Sequence, residues 1–118
     1  MIQANELRIT NFILDDGVVN AVIMIGIYSV QLATKQGNII QAGLDLIEPI
    51  SLTEEWLLKF GFKKINTTWY KLGNMAINIS FDVEWGSKWM GIRLKYVHQL
   101  QNLYFAITGQ ELTLKDKQ

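Results

Sequence analysis

The chain has 118 residues, of which 49% are hydrophobic and 19% charged, a balance that belongs to a globular domain and excludes a disordered chain. Cysteine is absent and His98 is the only histidine, so disulfide frameworks, thiolate metal sites and multi-histidine sites are excluded. No apolar run approaches the ~20 residues of a membrane helix, and the N-terminus does not read as a signal peptide, so a soluble, cytoplasmic protein is expected.

Net charge is zero, but the signs are segregated. Residues 1–58 carry two basic and seven acidic residues, a net −5; residues 59–118 carry nine and four, a net +5. Such asymmetry points to an electrostatic partner; the alternatives are that the acidic half faces the basic half within the fold, or that both are ordinary solvated surfaces.

In chain order, residues 5–42 read as β-structure. Runs rich in Val and Ile (7–14, 18–24, 27–32, 39–40) are separated by turn signals. Asp16-Gly17 is a hairpin signal, Gln36-Gly37-Asn38 a second turn, and Gly26 a bend or bulge. The spacing predicts a small, twisted antiparallel lobe, barrel-like in curvature. A single buried helix over 18–32 is the alternative, opposed by the β-branched content and flanking glycines.

Residues 51–62 predict a short helix. Thr53 is placed to N-cap it, with Glu54 and Glu55 in its first turn. Leu52 and Leu57 match a hydrophobic staple. Gly61 and Phe62 match a Schellman stop. Trp56, Leu57 and Phe60 form its expected buried face, with Trp56→Ala among the costliest changes.

Residues 67–95 predict a three-stranded meander. Its strands are 67–72, 75–85 and 89–95, joined at Gly73-Asn74 and Gly86-Ser87. The middle strand alternates Met75, Ile77, Ile79, Phe81, Val83 and Trp85 against Ala76, Asn78, Ser80, Asp82 and Glu84. A second helix over 96–108 is expected to lay Val97, Leu100, Leu103, Tyr104 and Ile107 on the meander, with His98 at its surface or boundary and Gln99, Gln101 and Asn102 outward. Gly109 stops it, 111–114 is a candidate edge strand, and 115–118 is expected to fray. The fold class is therefore α+β in one domain: an N-terminal β-lobe (1–50), then a capped helix, a meander and a helix packed on it (51–118).

Catalytic motifs are missing. Gly61-Phe62-Lys63-Lys64 ends a helix rather than opening one, so it is no phosphate loop. Asp15-Asp16 is explained as a turn and Glu54-Glu55 as a helix start. Asp82 and Glu84 share a strand face, where they are either solvated or two ligands of a divalent cation. The expectation is a non-enzymatic protein that needs no cofactor or metal. Its candidate binding residues are Trp69, Lys71, Trp89, Arg93 and Lys95, with Lys63, Lys64 and Lys88 at the ends of the same face. Tryptophan beside Lys and Arg suits stacking on single-stranded nucleic acid, or anchoring a protein partner. If the N-terminal lobe covers the face, Trp69 and Trp89 are instead core residues.

Three blocks carry a resemblance: Asn5-Glu6-Leu7-Arg8-Ile9, the run from Leu52 to Phe62 (LTEEWLLKFGF), and the run from Tyr96 to Ala106 (YVHQLQNLYFA) followed by Thr108-Gly109. In this order they resemble a group of small proteins of Bacteroidota phages and prophages. The resemblance implies a setting and assigns no residue roles. It implies a phage-encoded protein in the cytoplasm of a bacterial host, which binds and disables a host protein or ribonucleoprotein complex, a CRISPR-type defence nuclease among them. The alternative is a nucleic-acid-binding accessory protein of phage replication or transcription.

Overall fold

The computed structural model describes residues 2–115. Their strands are β1 (Phe12–Asp15), β2 (Val18–Ile25), β3 (Ser29–Ala33), β4 (Ile39–Gly43), β5 (Ile47–Glu48), β6 (Lys63–Lys64), β7 (Trp69–Leu72), β8 (Met75–Asn78), β9 (Asp82–Trp85) and β10 (Lys88–Arg93). The helices are α1 (Glu54–Lys59) and α2 (Val97–Thr108). The fold is α+β with two antiparallel sheets, and it divides into two compact units, 2–51 with 96–110 and 52–95 with 111–115. No helix among the described residues is long and apolar enough to cross a membrane.

In the first unit the strand order is β4-β3-β2-β1-β5. Asp16 and Gly17 both take positive φ, the type I′ turn their identity predicts. Gly26 opens the β2–β3 turn, its amide donating to the Ser29 carbonyl, while the bulge falls at Ile23, between the pairs Val22–Leu32 and Met24–Gln31. β4 and β5 lie at opposite edges, yet only residues 44–46 join them. Four inter-strand spacings of a flat sheet span about 19 Å. The linker reaches about 15 Å at full stretch. The sheet must therefore roll toward itself. β4 and β5 do not pair, so the barrel-like lobe is an open sheet, not a closed barrel. Ile2, Leu7, Ile13, Val22, Val30, Leu32, Ala42 and Ile47 form its core.

Helix α2 groups with this unit, through contacts that the sequence pattern does not predict. The reason is polar. β5 pairs only with Leu14 and Asp15, which leaves the start of β1 without a neighbour on that side. The Gln101 amide fills the position of a strand: its Oε1 accepts the Phe12 amide (2.8 Å) and its Nε2 donates to the Thr10 carbonyl (3.1 Å). Asn102 Nδ2 donates to the Glu6 carbonyl, and its Oδ1 accepts Asn11 Nδ2 at 2.8 Å. Gln101 and His98 are therefore buried, where side-chain polarity alone assigns them to the outside or the boundary. Glu6 accepts the Gln3 amide and lies 3.3 Å from His98 Nε2. Burial pushes the His98 imidazole below its ordinary value, against the opposing pull of Glu6.

In the second unit α1 forms as its caps predict. Thr53 Oγ1 accepts the Trp56 amide, and Gly61 takes φ 95°. The Phe62 amide donates to Leu57 and the Gly61 amide to Leu58, which completes the Schellman pair. Leu57, Phe60 and Phe62 are buried; Trp56 is only half-buried, with Lys59 over its ring at 4.8 Å. The costliest truncation in α1 therefore shifts from Trp56 to Phe60. The sheet order is β10-β9-β8-β7-β6. The strand expected over 75–85 is two strands, β8 and β9, folded back at Ile79-Ser80-Phe81. Asn78 makes that turn: its Oδ1 accepts the amides of Ser80 and Asp82, and Nδ2 donates to Asp82. Phe81 takes φ 65° there. Residues 111–115 form no strand. The Lys115 amide donates to the Lys59 carbonyl, while 116–118 lie outside the described residues.

Candidate functional site

Residues directly opposite in antiparallel strands point to the same face. The registers of the second sheet therefore fix two cross-strand rows. One runs Lys63–Lys71–Ala76–Glu84–Trp89, from β6 to β10. The other runs Ile65–Trp69–Asn78–Asp82–Arg93, its first step made by the Ile65 amide donating to the Trp69 carbonyl. None of the ten residues is buried. Trp89 is 72% exposed, which removes it from any core; Trp69 is half-buried beside Asn78.

Five of the eight predicted binding residues thus share one face: Lys63, Trp69, Lys71, Trp89 and Arg93. Lys64 does not. It pairs with Tyr70, whose ring is buried on the opposite face, and its ammonium lies 5.9 Å from that ring and 3.9 Å from Glu54. Glu54 also accepts from the Tyr70 hydroxyl and pushes that phenol up to about 12. Lys88, opposite Trp85, is likewise on the other face. Lys95 lies beyond β10, where its carbonyl accepts the Leu52 amide.

The electrostatics of the strip are mixed. Arg93 Nε donates to Asp82 Oδ1 at 2.8 Å, and Nη2 to Oδ2 at 3.3 Å. The Arg93 guanidinium and the Asn78 amide hold the Asp82 carboxyl below its usual range; Asp82 in turn raises Arg93. Glu84 stands between Ala76 and Trp89. Three bases thus face two acids, a strip close to neutral. Asp82, already engaged by Arg93 and Asn78, is a poor cation ligand, and the described residues bring together no group of three or more His, Cys, Asp or Glu able to hold a metal.

The pattern of alternation assigns Asp82 and Glu84 to this face. It does not reveal Ile65, because strand β6 has only two residues. Its signal is Asn66, whose Oδ1 accepts the amides of Thr68 and Trp69 and turns the chain into β7. No family model, curated protein or solved structure matches the chain.

Proposed function

We propose that the chain is a non-enzymatic binding protein that docks on a host protein through this strip. The observation that carries the reading is the exposed Trp89, at the end of a two-row face whose charges are largely internally compensated. A large exposed aromatic, beside an arginine already held in place, is the make-up of an interface anchor. Desolvating Arg93 on docking does not strand its charge, because Asp82 goes with it. A phosphate backbone asks for clusters of uncompensated cations instead. The strip offers Lys63 and Lys71 but sets Glu84 and Asp82 among them, so a protein surface fits it better than a nucleic acid. In the setting that the resemblance implies, the docked protein is a host factor inhibited by binding, with a CRISPR-type nuclease as the leading class.

Affinity capture from a Bacteroidota lysate tests this. The tagged protein and its Trp89→Ala variant are compared, each with and without nuclease treatment. The expected result is a partner retained after nuclease and lost on Trp89→Ala. Capture abolished by nuclease, with an affinity falling steeply in salt, would overturn the reading in favour of nucleic acid. Capture indifferent to Trp89→Ala would remove the strip from the interface.

A further inference from the structure

Strand β4 ends the first sheet with a free edge. Its ladder to β3 is anchored at both ends: the Thr34 amide donates to the Asn38 carbonyl, and the Leu44 amide donates to the Tyr28 carbonyl. Antiparallel pairs alternate between bonded and non-bonded positions. Those two bonds therefore assign Asn38, Ile40, Ala42 and Leu44 to the β3 side. Ile39, Gln41 and Gly43 point their amides and carbonyls away from the sheet. Among the described residues, the Ile39 and Gln41 backbone groups meet no backbone partner, and both residues are exposed. The Gly43 carbonyl is taken by the Leu46 amide, which closes the far end of the edge.

Folded proteins usually blunt such an edge with a charge, a proline or a bulge. Ile39–Gly43 has none of these: its sequence is IIQAG, and its pairing with β3 is regular. The edge also carries an exposed apolar side chain, Ile39, at 65% exposure.

We infer that β4 is a docking edge for a second copy of this chain, paired antiparallel about a two-fold axis through Ile40. In that register Ile39 of each copy faces Gln41 of the other. Both residues present outward backbone groups, so the amide and carbonyl of each can be satisfied, giving a continuous sheet across the pair. Ile40 meets its own copy on the core face. The same register brings the 34–38 turn at one end of β4 beside the partner copy's 44–46 loop. The turn carrying Lys35 then lies along the loop carrying Asp45, once on each side of the axis. These are opposite charges at opposite ends of one strand, an arrangement that an antiparallel copy complements and a parallel one does not. The edge is separate from the Trp89 strip, so the pairing stands or falls independently of the proposed function.

Light scattering during size exclusion over a range of loading concentrations tests it. The expected result is a species of twice the 13.5 kDa chain mass, favoured at high concentration. Gln41→Pro removes an amide that points away from β3, so it spares the internal ladder. It is expected to weaken association at least tenfold with an unchanged far-ultraviolet circular dichroism spectrum. Should that variant misfold, charge exchange decides: Lys35→Glu weakens the dimer at low salt, and adding Asp45→Lys restores it. A chain that stays monomeric throughout, a dimer indifferent to a folded Gln41→Pro, or a charge exchange without rescue would each overturn the inference.

Discussion

Replacing Gln101 with methionine keeps the length of the side chain and removes its amide. The two bonds it makes to the β1 backbone, to Phe12 at 2.8 Å and Thr10 at 3.1 Å, are then lost inside the fold. Gln101 is 1% exposed, so water does not readily replace it. An orphaned buried backbone group costs about 1–3 kcal/mol, so two cost about 2–6 kcal/mol. The more apolar methionine returns about 1 kcal/mol. The net loss is about 1–5 kcal/mol. With a slope of about 2 kcal/mol per molar urea, the midpoint falls by about 0.5–2.5 M. Far-ultraviolet circular dichroism is the probe to use, because all four tryptophans lie in the second unit and their fluorescence does not report on the first. A Gln101→Met midpoint within about 0.3 M of wild type would refute the strand-mimic role of this amide.

Other consequences are as direct. Phe60→Ala is expected to cost about 3–5 kcal/mol in urea melts and Trp56→Ala clearly less, since only Phe60 is fully buried; the reverse order would contradict the packing described for α1. Because burial lowers the His98 pKa in the folded state, the unfolded chain binds the extra proton first. Stability is then held above pH ~6.5 and lost as pH falls below it, a slope that His98→Gln should flatten in urea midpoints between about pH 7 and 5. Asp82 also has a lowered pKa, so its contribution is lost only as pH falls from about 4, below the histidine window. Asn78→Ala removes the acceptor of two turn amides and should cost about 1–2 kcal/mol by chemical denaturation; an unchanged midpoint would show that Ser80 and Asp82 do not depend on it.

Local chemistry was the most legible part of this chain. Asp16-Gly17 and Gly86-Ser87 adopt paired positive φ, and Gly73 adopts positive φ without Asn74, because short hairpins accept few residue types at those angles. Helix α1 is specified by its caps within eight residues. The split of 75–85 was not legible from alternation, and parity explains why. Ile77 and Val83 face each other across the β8–β9 hairpin, and an odd number of intervening residues keeps the period of two running through the turn. The signal lay instead in Asn78 and Asp82, read as outward strand residues rather than as the two ends of a turn. The polar contacts of helix α2 were not legible for a different reason. A polarity pattern assumes that polar side chains seek water, whereas Gln101 and Asn102 seek backbone groups of residues 6–12, some ninety positions away. The binding strip was legible in its members but not in its charge. Alternation places Arg93 and Asp82 on one face, and only the register shows them as a bonded pair.

The proposed docking face is tested most directly by hydroxyl-radical footprinting of the captured complex, with oxidation of each tryptophan followed by mass spectrometry. In the free protein Trp89 should oxidise fastest, being 72% exposed. The account predicts that the partner protects Trp89, and to a lesser degree Trp69, while Trp56 keeps its free rate. Equal Trp89 oxidation with and without the partner would contradict it.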